Sequence, residues 1–238
     1  MKKTASANIR NLTQLWTLAG KEPTGYGTEH SIRCAMVQGS EWPNKIWIDQ
    51  APTGQLLKRL RKKMHSHPQL TFSYFNPNAQ DNPQLAAEGF ELQFNQTGMS
   101  LRLESKFKTR KDLIFCRVEN PEQARQWATT FGQAFGYDFG ANTVLETMLG
   151  VPYYLVYHGE SLVGTVILYV TGQVAGIHAL GIPPEKRKQG YATEIMYFTL
   201  NMALESGSDI ATLQASEMAK NMYLKIGFTT DFLMQNYK

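Results

Sequence analysis

Arg187-Lys188-Gln189-Gly190-Tyr191-Ala192-Thr193 lies between an apolar stretch ending in Leu180-Gly181-Ile182 and a segment of helical periodicity from Thr193 to Leu204. Small residues fall at every second position, Gly190 and Ala192, where a helix opens. Such a loop lets backbone N–H groups converge on an anion at the helix end whose dipole favours negative charge. This is the chemistry of a phosphate cradle. A basic surface turn before a helix has much the same composition, so the flanks decide between the two. Val174 to Ile182 reads as a buried strand, and Pro183-Pro184 stops it without N–H donors. Ile195, Met196, Leu200 and Ala203 give the next helix an apolar face, and Gly207 offers its stop.

A second segment, Leu213 to Phe228, reads as a strand end leading into a short half-buried helix. Ser216 suits the N-cap, Ala219, Met222 and Ile226 form an apolar stripe, and Gly227 can adopt the left-handed C-cap conformation. Arg187-x-x-Gly190-x-Ala192 resembles the Arg/Gln-x-x-Gly-x-Gly/Ala signature of the Gcn5-related N-acetyltransferases (GNAT family), whose loop holds the pyrophosphate of acetyl-CoA. Tyr223-x-x-x-Gly227-Phe228 is similar to that family's later motif. The resemblance covers residues 111–238, with its parts in family order.

What the resemblance implies is specific to residues. Arg187, Lys188, Gln189, Gly190, Tyr191, Ala192 and Thr193 would surround the phosphates, and Asn221 would contact the cofactor. Leu180 and Ile182 would offer backbone groups to a pantetheine arm lying along the strand. Tyr223 is cast as the donor to the departing thiolate, since a phenol with a pKa near 10 is protonated at neutral pH. His178 is the candidate base, with an ordinary core-edge histidine as the alternative. Family members acting on histone-like tails carry Glu two residues earlier, where this chain has Gly176. The two-residue strand period places 176, 178, 180 and 182 on one face. Read without the family, Tyr223 is an amphipathic core edge.

The elements around these motifs fit the same fold class. Residues 152–157 and 162–170 read as strands around a Gly159 turn, and Thr171-Gly172-Gln173 turns into the next strand. Leu113 to Val118 reads as a strand, and Asn120-Pro121 as an N-cap and first position of a helix. A second helix is expected from Asn142 to Met148. The class expected is mixed α/β, of α+β type, with a GNAT-like central mixed sheet flanked by helices.

Residues 1–110 read as a separate N-terminal α/β module, and 111–238 as the transferase module. Strands are expected at 31–37, 45–48 and 70–75, a basic helix at Gln55 to Met64, and a hairpin over 90–103 with its turn at Asn95-Gln96-Thr97-Gly98. This half resembles a degenerate GNAT module and has no phosphate loop, so it is assigned no cofactor. An unrelated α+β substrate-binding domain would show a similar pattern.

Composition sets wider bounds. The 238 residues are 42% hydrophobic, enough for a substantial core. No apolar run approaches the roughly 20 residues of a membrane span, and the polar N-terminus does not read as a secretory signal. Cys34 and Cys116 are too few for a zinc site or disulfide framework, so no metal is expected and a cytoplasmic location is the simplest assignment. The net charge of +4 is modest, and Lys58 to Lys63 reads as a solvated helix face before it reads as a nucleic-acid surface. The function expected from the resemblance is transfer of acetyl from acetyl-CoA to a primary amine by direct attack. Alternatives are a longer acyl donor, or a non-catalytic CoA-binding sensor. The expected partners are acetyl-CoA and an amine acceptor, and a homodimer is compatible with the family.

Overall fold

A computed structural model describes residues 2–20, 31–79 and 82–238. The chain begins with helix α1 (Lys3–Ala19) and continues through β1 (Ile32–Ala35), β2 (Lys45–Ile48), α2 (Gly54–Ser66), β3 (Thr71–Asn76), α3 (Pro83–Ala87) and β4 (Leu92–Arg102). There follow β5 (Leu113–Arg117), α4 (Pro121–Phe135), α5 (Ala141–Thr147), β6 (Tyr153–His158), β7 (Ser161–Thr171) and β8 (Val174–Gly181). A 3₁₀ turn (Pro184–Lys186) leads to α6 (Tyr191–Glu205), β9 (Ile210–Ser216), α7 (Glu217–Ile226) and β10 (Thr229–Tyr237).

The strands share one mixed sheet in the order β1-β2-β3-β10-β4-β9-β8-β7-β6-β5. A pseudo-twofold relation passes between β10 and β4. Outward from that pair, β3 corresponds to β9, β2 to β8 and β1 to β7. Each half runs through a hairpin, a parallel crossover carrying one helix (β2-α2-β3 and β8-α6-β9), a short helix and a last strand. That last strand pairs with the other half: β4 lies against β9, and β10 against β3. The segment around residue 110 therefore connects two parts of one sheet.

Alternation along the strands separates two faces. Val163, Val166, Ala175, Ile177 and Leu213 pack with α6 and α7, and Phe72 and Ile46 pack with α2. On the opposite face, Ile167 and Leu155 meet α4 and α5, while Trp47, Phe232 and Met234 meet α1.

Two sequence-based expectations change here. The hairpin over 90–103 is instead the single strand β4, hydrogen-bonded on both edges by β9 and β10. Gly98 makes no turn: a Cβ there would lie 2.3 Å from the Phe232 ring, so the glycine admits that ring against the strand. The second change is α1, absent from the sequence reading. Its buried stripe is Ala5, Asn8, Asn11, Leu12, Leu15, Trp16 and Ala19, and the two asparagines interrupt the apolar periodicity that reveals a helix.

Candidate active site

The opening of α6 is shaped by backbone conformation. Gly190, its N-cap, has φ 80° and ψ 1°, a left-handed conformation, and no side chain caps the helix. At α2, by contrast, the Thr53 side chain accepts from the Leu56 N–H, so that helix caps itself. The first amides of α6 remain without a side-chain acceptor from the N-cap. Ile182, Lys186, Arg187, Lys188, Gly190, Tyr191, Ala192 and Thr193 line a recess of about 210 Å³ there. The loop is fastened from both sides. Arg187 donates from Nε to the Ile182 carbonyl (3.1 Å) and from its guanidinium to the Ala134 carbonyl (2.8 Å), placing a cation at the C-terminal end of α4. Lys186 Nζ reaches Ser161 Oγ at 2.7 Å, and Tyr191 Oη lies 3.0 Å from His158 Nδ1.

The strand leading to this loop carries a bulge. Ala179 has φ 51°, and the β7–β8 register slips between Thr165 and Ile167. The expected common face of 176, 178, 180 and 182 is thereby broken: Leu180 and Ile182 pack with the α6 and α7 cluster, while His178 turns to the α1 side. On its other edge β8 pairs with β9 only at Val174–Ile210, Ala175–Ala211 and Gly176–Thr212, although both strands run on. Beyond Gly176 the β9-facing edge of β8 is free of that ladder, which suits an extended ligand added like a strand.

Tyr223, Leu180, Ile182 and Tyr191 all border the same core cluster. Tyr223 is the one buried residue of α7, with Phe228 set edge-on at 5.7 Å, and burial pushes its phenol up to about 12. Its hydroxyl has no hydrogen-bond partner among the described residues. Asn221 is exposed on the same helix. Ser216 occupies the N-cap of α7 without a side-chain bond, and Gly227, at φ 112°, ends the helix as expected.

His178 has a different setting. Its Nε2 lies 3.0 Å from Asn11 Oδ1, whose amide nitrogen donates to the Tyr169 carbonyl and Thr171 Oγ1, each at 2.9 Å. Those two bonds orient Asn11 so that its oxygen faces the ring, which assigns the proton of neutral His178 to Nε2. Burial lowers the imidazole to about pKa 4, partly opposed by a Gln214 side-chain hydrogen bond. A Cβ on Gly176 would sit 1.8 Å from Asn11 Oδ1 and 2.4 Å from His178 Nε2, so this pair fills the space of any side chain at 176. Asn8 extends the network, donating to the Met99 carbonyl and accepting from Gln214 Nε2 at 2.5 Å.

Sequence reading did not single out Asn11, Glu194 or Lys111. Glu194, in the first turn of α6, accepts from the backbone N–H groups of Arg110 (2.8 Å) and Lys111 (3.3 Å), and Phe107 and Asn201 exchange two bonds further along the helix. Residues that read as a polar boundary are a strap along α6. The sequence signal for it is Glu194, a carboxylate directly before the apolar Ile195 and Met196 of the helix.

Residues 119–228 match the model of the acetyltransferase (GNAT) family, and the chain carries a domain of that family. A GCN5-related N-acetyltransferase from Kribbella flavida superposes with a TM-score of 0.71 at 14% identity, covering 100% of this chain and 95% of the other. A functionally unknown conserved protein from Staphylococcus epidermidis gives 0.63 at 20% identity, over 92% and 93% of the two chains. A tandem GNAT protein from the clavulanic acid biosynthesis pathway gives 0.58 at 16%, over 87% and 77%. No curated protein matches the chain. The structural likenesses extend the GNAT-like fold over both halves.

Proposed function

We propose that the protein is an acyl-CoA-dependent N-acyltransferase that passes acetyl from acetyl-CoA to a primary amine. The observation that carries this reading is the opening of α6, where a left-handed Gly190 and an uncapped first turn border a recess of about 210 Å³ inside the family-matched segment. Backbone N–H groups of residues 189–193 would hold the diphosphate, and the edge of β8 beyond Gly176, with Leu180 and the adjoining Ile182, would hold the pantetheine arm. Acetyl-CoA supplies an activated acyl thioester. Tyr223 holds a proton on a hydroxyl with no hydrogen-bond partner among the described residues, and that proton would be donated to a developing thiolate.

For His178 the surroundings favour an anchoring role. A ring whose Nε2–H is committed to Asn11, with a pKa near 4, is a weak base at neutral pH and a good tie between α1 and β8. The amine proton then passes to solvent. Release of free thiol from acetyl-CoA over a panel of amines, amino acids and peptides tests the reading. Acceptor-dependent release supports it, and CoA binding with no release on any acceptor favours a sensor.

A further inference from the structure

We infer that Lys111, from the connection between β4 and β5, completes the diphosphate site as a counter-charge, an ammonium delivered there from outside the family-matched residues 119–228. The inference rests on reading the α6 opening as the cofactor cradle. Its own observations are three. The backbone of Lys111 is tied to the first helical turn by the buried Glu194 carboxylate. Its Nζ stands 5.1 Å from the centroid of the Tyr191 ring, the first residue of α6 and part of the recess lining. Its Cε is the nearest atom to a Cβ built on Gly190, at 3.9 Å.

Two of the cations lining the recess are otherwise engaged, Arg187 with the Ile182 and Ala134 carbonyls and Lys186 with Ser161, while Lys188 belongs to the loop itself, within the family-matched residues. The Lys111 ammonium makes no ion pair or hydrogen bond among the described residues and rests on an aromatic face. A cation held beside uncapped amides, with no carboxylate of its own, matches phosphate oxygens in charge and reach. Glu194 serves as a positioning residue, because it fixes the backbone from which the ammonium extends.

Calorimetric titration of the full chain with CoA and with 3′-dephospho-CoA tests this. Lys111→Met is expected to weaken both ligands about fivefold to tenfold at low salt, with the gap narrowing at high salt. Lys111→Arg is expected to keep most of the affinity, and thermal melts confirm that each variant is folded. Equal CoA affinity of wild type and folded Lys111→Met would overturn the inference while leaving the cradle intact. A deficit seen with CoA and lost with 3′-dephospho-CoA would move Lys111 to the 3′-phosphate and overturn the diphosphate assignment. Wild type that binds neither ligand would remove the cradle reading, and the inference with it.

Discussion

Tyr223 and His178 both sit in protected surroundings, yet their polar atoms are used in opposite ways. The Tyr223 hydroxyl has no hydrogen-bond partner among the described residues, whereas His178 is bonded to Asn11. If the hydroxyl serves the leaving thiolate, Tyr223→Phe should lower kcat about 10²-fold or more while acetyl-CoA affinity stays within a few-fold. Steady-state kinetics beside calorimetry checks this, and an unchanged kcat with chemistry rate-limiting removes Tyr223 from the mechanism. For His178 the folded pKa of about 4 lies below the ordinary 6.5, so protons bind the unfolded chain more readily. Its contribution to stability is full above pH 6.5 and is lost as pH falls towards 4. Denaturant midpoints should therefore drop less across that window in folded His178→Gln than in wild type; parallel curves would contradict the buried, neutral ring. Gly176 and His178 are legible as unusual, but Asn11 is not, because a separation of 167 positions from His178 hides a contact made only by the fold.

At the scale of elements, β8, α6, α7 and their caps follow from periodicity and glycine placement because the signals are local. What local signals misplace is β4. Asn95-Gln96-Thr97-Gly98 has turn composition, yet β9 and β10 satisfy both edges of the strand and Gly98 makes room for Phe232. Gly98→Val should therefore cost about 1–3 kcal/mol through overpacking against a buried ring. The same change should cost less when combined with Phe232→Leu. A double-mutant cycle by chemical denaturation measures the coupling, and strict additivity would contradict the close approach. The bulge at Ala179 is likewise invisible to a strict two-residue period, and it sends His178 and Leu180 to opposite faces.

For the whole molecule, the exchange of last strands joins the two halves. A fragment beginning at Lys111 lacks β4 from between β9 and β10, and also lacks α1, whose Asn8 and Asn11 bond to the sheet. We propose 110/111 as a boundary between two modules of like element order that fold together. The isolated fragment 111–238 should show no cooperative thermal transition, and co-expression with 1–110 should restore one; a cooperative transition in the fragment alone would contradict this. The helix openings also differ between the halves: Thr53 caps α2 with its side chain, while no side chain caps α6 at Gly190. The most direct test of the proposed cofactor cradle is calorimetric titration of CoA into Gly190→Glu, with folding verified by circular dichroism. A bulky carboxylate at this left-handed position should weaken CoA at least about tenfold relative to wild type, or about 1.4 kcal/mol. Wild-type CoA affinity in the folded variant would contradict a phosphate cradle at the opening of α6.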